Sequence, residues 1–108
     1  MIARIWHATA TPSGADAYRR HFTEAVLPEL QKITGHQGAY LLQHPAAEQV
    51  DIQVITFWAS LDAIRSFAGE DLDTAVVEPD AQAALLTYSA TVVHHDVIIA
   101  APQPSTAP

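Results

Sequence analysis

The side chains able to do chemistry in this sequence are its histidines, with Trp58 and a few tyrosines beside them; there is no cysteine, so thiolate catalysis and disulfides are ruled out. The densest cluster is His94-His95-Asp96. It lies in a run of branched residues that reads as a strand, where successive side chains point to opposite faces. His94 and Asp96 then share one face and His95 takes the other. Adjacent histidines that point apart make a poor metal pair, and no His-x-His or His-x₃-His spacing occurs on one element, so no metal site is expected. What remains is proton transfer and oxyanion binding by single imidazoles. His7 on the first strand and His94 on the last are the candidates for that work. Trp58, at the end of a central strand, could stack on a flat ring. Arg65, Tyr40 and Tyr88 are candidate substrate contacts, each with a plainer role at hand: a surface ion pair of Arg65 with Asp62 or Glu70, and core or interface positions for the tyrosines. His21 and His36 read as surface residues.

The elements that must position these groups follow from periodicity. Ile2 to Thr9 alternates as a strand, with Ile2, Arg4, Trp6 and Ala8 on one face and Ala3, Ile5, His7 and Thr9 on the other. From Ser13 to Val26 the apolar residues Tyr18, Phe22, Ala25 and Val26 recur at helical spacing. Pro28 kinks that helix or starts a second short one running to Ile33, and Gly35 is placed to stop it. Ala39–His44 and Val50–Ala59 read as a hairpin of two strands. The second is apolar on both faces, which suits a central strand covered on both sides. Ser60 is a plausible N-cap for a helix with a buried stripe of Leu61, Ile64, Phe67 and Ala68, ended by Gly69. A short helical turn is expected over 70–77, a break at Pro79, one or two turns over 81–86, and a last strand over 88–100. Residues 101–108, rich in Pro, read as a flexible tail after a single domain spanning 1–100.

The order β-α-β-β-α-β predicts a ferredoxin-like α+β fold: a four-stranded antiparallel sheet with the first and third strands central and both helices on one face. The other face carries too many large apolar residues for water, so a second copy of the chain is expected to cover it, giving a homodimer of the α+β-barrel kind. If the first and third strands ran as parallel neighbours, His7 and Trp58 would sit at comparable depth on one pocket wall. A net charge of −7 with only five Lys and Arg excludes a basic stripe, and with it nucleic acid or an anionic membrane surface as partner. No apolar run approaches the ~20 residues of a membrane span, and the N-terminus lacks a signal-peptide core, so a cytoplasmic location is expected.

Several segments resemble the antibiotic biosynthesis monooxygenase family of dimeric α+β-barrel proteins. These are Met1-Ile-Ala-Arg-Ile-Trp-His7, the strand-to-helix stretch Thr56-Phe-Trp-Ala-Ser-Leu-Asp-Ala63 with its Trp-x-Ser-x-x-Ala pattern, Ala75-Val-Val-Glu-Pro79, and Val92-Val-His-His-Asp-Val97. The family more often has His followed by an aromatic in the last segment. His95 departs from this and reads as a structural or dimer contact. The resemblance implies a cofactor-independent monooxygenase that oxidises an aromatic, quinol or anthrone-like small molecule with O₂ as co-substrate and no cofactor. His7, Trp58 and His94 would be catalytic, with Tyr40, Arg65 and Tyr88 at the substrate. The haem-degrading branch supplies an axial histidine near 75–78, where this chain has Val76 and Val77. The alternatives are an isomerase or lyase using the same histidines, and a non-enzymatic small-ligand-binding or stress protein.

Overall fold

The computed structural model describes residues 1–101. The expected tail lies outside them, except for Ala101. The element order is β1 (Ile2–Ala10), α1 (Pro12–His21), a π-helical turn (Phe22–Val26), α2 (Leu27–Gln31), β2 (His36–Ala46), β3 (Gln49–Trp58), α3 (Leu61–Ala68), α4 (Pro79–Ala84), β4 (Thr87–Tyr88) and β5 (Val93–Asp96). All strand pairs are antiparallel, in the order β2-β3-β1-β4, with β5 also on β1. The helices pack on one face, as the ferredoxin-like reading requires, and β1 and β3 are central. Among the described residues no helix is long and apolar enough to cross a membrane.

The alternation of β1 and β3 decides which side chains meet the helices. Trp6, Ala8 and Ala10 of β1 and Val50, Ile52 and Val54 of β3 join Tyr18 and Phe22 in the main core. A second cluster holds Leu30, Trp58, Ala63 and Ile64. Arg4 belongs to the same inward phase and is 4 % exposed.

Pro28 is accommodated by a change of helix type. The π turn leads into α2 with Pro28 in its first turn, and the amide of Leu27 bonds the carbonyl of Phe22, five residues back. Proline has no N–H, and its ring crowds the preceding turn, so widening that turn relieves both problems. Thr23 Oγ1 donates to the Arg19 carbonyl at 2.9 Å, filling an acceptor near the same transition. Gly35 then turns the chain at φ +95. A Cβ there would come within 2.6 Å of the Ala63 Cβ. Gly35→Ala therefore combines a left-handed penalty with a clash, and should lower stability by about 2–4 kcal/mol, read from the urea midpoint.

Around α3 the sequence reading holds, with one exchange. Ser60 Oγ accepts from the Ala63 amide at 3.2 Å and Gly69 ends the helix at φ +85. Ala63 takes the buried place expected of Leu61, which is exposed. Residues 70–77 are not helical: a turn at 72–73 is followed by an extended stretch. The reason lies in the last strand. Ala8 pairs with Tyr88 but Ile5 with Val93, five steps in the last strand against three in β1. The two extra residues form a bulge that leaves β1 and pairs instead with the 73–75 segment. The amide of Ala75 bonds the carbonyl of Ala90 at 2.9 Å, and that of Val92 the carbonyl of Asp73 at 2.9 Å. The expected fourth strand is thus two short ones, and the sheet has five. Pro79 opens α4 in its first turn and is not a break.

Candidate functional site

Between sheet and helices lies a cleft whose sheet-side wall is Arg4, Trp6, Val54 and Thr56. Tyr18, His21, Phe22, Val26 and Leu30 close it from the helical side, and the extended stretch 75–78 runs along its rim with Val92. The π turn contributes Phe22 and Val26, so the device that admits Pro28 also shapes the cleft. The enclosed space is about 60 Å³. A cavity of about 150 Å³ is what holds one benzene ring. Any aromatic ligand therefore needs this cleft to widen. Of its walls, 75–78 has no regular structure and Val76 is exposed, so it is the part that can yield.

Arg4 organises the floor. Its Nη1 donates to the Leu72 carbonyl at 2.6 Å and its Nη2 to the Thr74 carbonyl at 2.8 Å, pinning the 72–74 turn to the sheet. Nη1 also lies 3.0 Å from His94 Nε2. A guanidinium only donates, so Nε2 must accept and the imidazole proton sits on Nδ1, facing Asp73 Oδ1 at 3.6 Å. That distance is long for a hydrogen bond. Burial and the neighbouring Arg4 charge push His94 below its ordinary value, while Asp73 acts in the opposite direction. Trp6 Nε1 donates to the Ser89 carbonyl at 2.8 Å and so fastens the bulge. Tyr18 stacks obliquely on Trp6 at 5.9 Å, and its phenol is held far above its usual value by burial and by Glu78. His21 Nε2 is buried without a hydrogen-bond partner.

The residues singled out from sequence do not converge. Because β1 and β3 are antiparallel, Trp58 pairs with Ile2 and His7 with Gln53. The two side chains are five residues apart along the strand, roughly 17 Å. They also belong to opposite strand phases: Trp58 is 0 % exposed under the helices, while His7 lies exposed on the open face. The clefts that border His7 do not include Trp58. Trp58 stacks on Phe67 at 5.8 Å, meets His36 edge-on at 5.1 Å, and donates from Nε1 to Thr56 Oγ1 at 2.8 Å. His7 and Tyr88 border one open depression at the outside of the sheet. Tyr40 packs edge-on against Phe57. Arg65 pairs with Asp62 and lies 3.8 Å from Glu70, the surface arrangement weighed against a substrate role. None of the six lines the cleft; His94 touches its wall through Arg4, and Trp58 backs it through Thr56 and Phe67. His95 pairs opposite Ala3 and is exposed. Neither His21 nor His36 is a simple surface residue, since each is half-buried with its Nε2 out of water and unpartnered, and Arg4, Trp6 and Tyr18 were not singled out. Among the described residues no group of three or more His, Asp or Glu is placed to hold a metal ion.

The fold is matched among known proteins. The family model for antibiotic biosynthesis monooxygenase matches residues 1–79, and the chain belongs to that family. No protein of curated function matches the sequence significantly. A putative antibiotic biosynthesis monooxygenase from Bacillus cereus is similar in structure, with TM-score 0.63 at 16% identity over 95% of this chain and 98% of that one. The heme-degrader MhuD from Mycobacterium tuberculosis, with two hemes bound in its active site, gives TM-score 0.60 at 18% identity over 94% and 100% of the two chains. The ActVA-Orf6 monooxygenase of Streptomyces coelicolor, in complex with nanaomycin D, gives 0.56 at 16% over 96% and 91%. At such identities the structural likenesses establish the fold. Family membership supports monooxygenase-type activity in general.

Proposed function

We propose that the protein is a cofactor-independent monooxygenase that oxidises an aromatic, quinol or anthrone-like small molecule with O₂ in the cleft between sheet and helices, working as a homodimer. The observation that carries this reading is the cleft itself: largely apolar and aromatic walls, with Arg4, Tyr18, His21 and Thr56 as polar groups and Glu78 at its rim, in a chain of the monooxygenase family. In the reaction, an enolate or phenolate of the substrate passes one electron to O₂, and the radical pair combines at carbon. Protonation gives a hydroperoxide, which loses water to leave a carbonyl. Converting an anthrone CH₂, or a phenol ring CH, to C=O supplies all four electrons that O₂ requires, so no external reductant enters the balance.

The protein's part is to stabilise the anion, exclude water and return a proton. Arg4 faces the cleft as a fixed cation. His21 offers an unpartnered nitrogen to a substrate hydroxyl. Tyr18, kept as a neutral phenol, can donate. His94 acts through Arg4 as a positioning residue. His7 and Trp58 have no direct part in this scheme.

An oxygen electrode tests the reading. With an anthrone or a naphthol as substrate, chelator present, and no flavin or nicotinamide added, the chain should consume one O₂ per substrate oxidised, and turnover should stop under argon. Turnover unchanged under strict anaerobiosis would sink it in favour of proton transfer alone.

A further inference from the structure

Buried cations in proteins are ordinarily matched by a carboxylate. Arg4 is not. Its three hydrogen-bonded neighbours are two backbone carbonyls and a histidine nitrogen that must be neutral to accept. These acceptors take three of the five N–H groups of a guanidinium. The Phe67 ring, 6.0 Å from the guanidinium carbon, is at the outer limit of a cation–π contact. Among the described residues no carboxylate is in ion-pair contact with Arg4. Asp73 acts on it through space without an ion-pair contact, and its side chain is largely in water. A planar fork held this firmly by the 72–74 turn has a full charge and spare donors at the wall of an apolar cleft. Pinning a turn requires donors but not a net charge.

We propose that the missing counter-ion is the ligand: Arg4 is a specificity-determining residue, and the cleft selects small aromatic molecules bearing a delocalised oxyanion already ionised at neutral pH, a carboxylate or a strongly acidic enol, over neutral molecules of the same shape. The buried, unpartnered Nε2 of His21 on the helical wall supplies a second polar contact for such a ligand. Glu78 also borders the cleft, but it is exposed, where water screens its repulsion. The oxyanion would sit against the guanidinium, where two N–H groups in one plane match two oxygens. The inference rests on the cleft being the ligand site, as in the function proposed above, but not on oxygen chemistry.

Binding under argon separates the two. The probes are 2-naphthoate against 2-naphthamide, and 2-hydroxy-1,4-naphthoquinone against its methyl ether, titrated by calorimetry and by quenching of tryptophan fluorescence. Each anion should bind about tenfold tighter than its neutral partner or better. Preference for only one of the two anions identifies the source of the oxyanion. Arg4→Gln should bring each pair to within about twofold, while Arg4→Lys keeps part of the preference. If Arg4→Gln does not fold, the wild-type comparison and the lysine variant decide. Equal or tighter binding of the neutral partners, no binding of either pair, or a folded Arg4→Gln that keeps the preference would each overturn the proposal. Tight anion binding with no O₂ uptake would uphold it and overturn the oxygenase reading. Oxygen uptake that favours neutral substrates would do the reverse.

Discussion

Replacing Trp58 by alanine should destabilise the domain by about 3–5 kcal/mol, enough to leave a protein of ordinary stability near its unfolding threshold at room temperature. The indole has no exposed surface and is the largest fully buried side chain. It sits where the end of β3, α2 and α3 meet, against Leu30, Ala63, Ile64 and Phe67. Removing it opens a cavity among Leu30, Ala63, Ile64 and Phe67, into which the surrounding structure relaxes only in part. It also strips Thr56 Oγ1, a buried hydroxyl at the sheet wall of the cleft, of its donor. Trp58→Phe keeps most of the volume and should lose a smaller amount, about 1–3 kcal/mol. Urea unfolding measures both. The informative comparison is activity well below the melting temperature: the phenylalanine variant should turn over at a rate near that of the parent. A fully folded but inactive Trp58→Phe would show that the indole meets the substrate after all.

That prediction reverses the role that residue type alone suggests for Trp58, and the reason lies in how register is encoded. Alternation along β1 and β3 correctly divided the side chains between two faces, because the period is fixed by the pleat. Ser60 and Gly69 marked the ends of α3 because caps depend on one or two residues, whereas α2 stops at Gln31, short of the Gly35 turn. Which residue of β1 lies beside which residue of β3 depends on strand direction and on the connection between them, and these are not local. Antiparallel pairing leaves His7 five residues along the sheet from Trp58 and on its other face. The bulge at 89–92 was equally hidden, since Val and Thr suit a continuous strand as well as a broken one. Its cause is the distant 73–75 segment, which competes with β1 for the same backbone groups. One signal for the site was nevertheless present. Arg4 occupies the same phase as Ile2, Trp6 and Ala8, and a cation placed among inward apolar residues has to be held by something. His21 gave no such signal, because the wall it faces is formed by chain far away in sequence.

If the chain forms the proposed homodimer over its open sheet face, a glutamate at Ile55 should leave it a folded monomer. On the open face of the sheet, Ile55 lies between Ile5 on one side and Tyr40 on the other, with Phe57 beyond and Val93 across from Ile5. This apolar patch grades into a polar end, where Thr9, Asp51 and His44 form one row across three strands. A second copy laid over the patch would bury its centre and leave that end at the rim, the usual anatomy of a stable interface. Two-fold symmetry would place two new carboxylates in the buried centre of the dimer, each costing several kcal/mol to desolvate. In the isolated chain the same side chain points to water, so the fold should survive. Circular dichroism should be unchanged while light scattering reports half the parent mass. The seven net negative charges on each chain add a second expectation. Two copies repel at long range, so the parent dimer should tighten as salt rises from low to physiological strength. A parent chain that stays monomeric at every concentration, or an Ile55→Glu variant that stays dimeric, would require some other cover for this face.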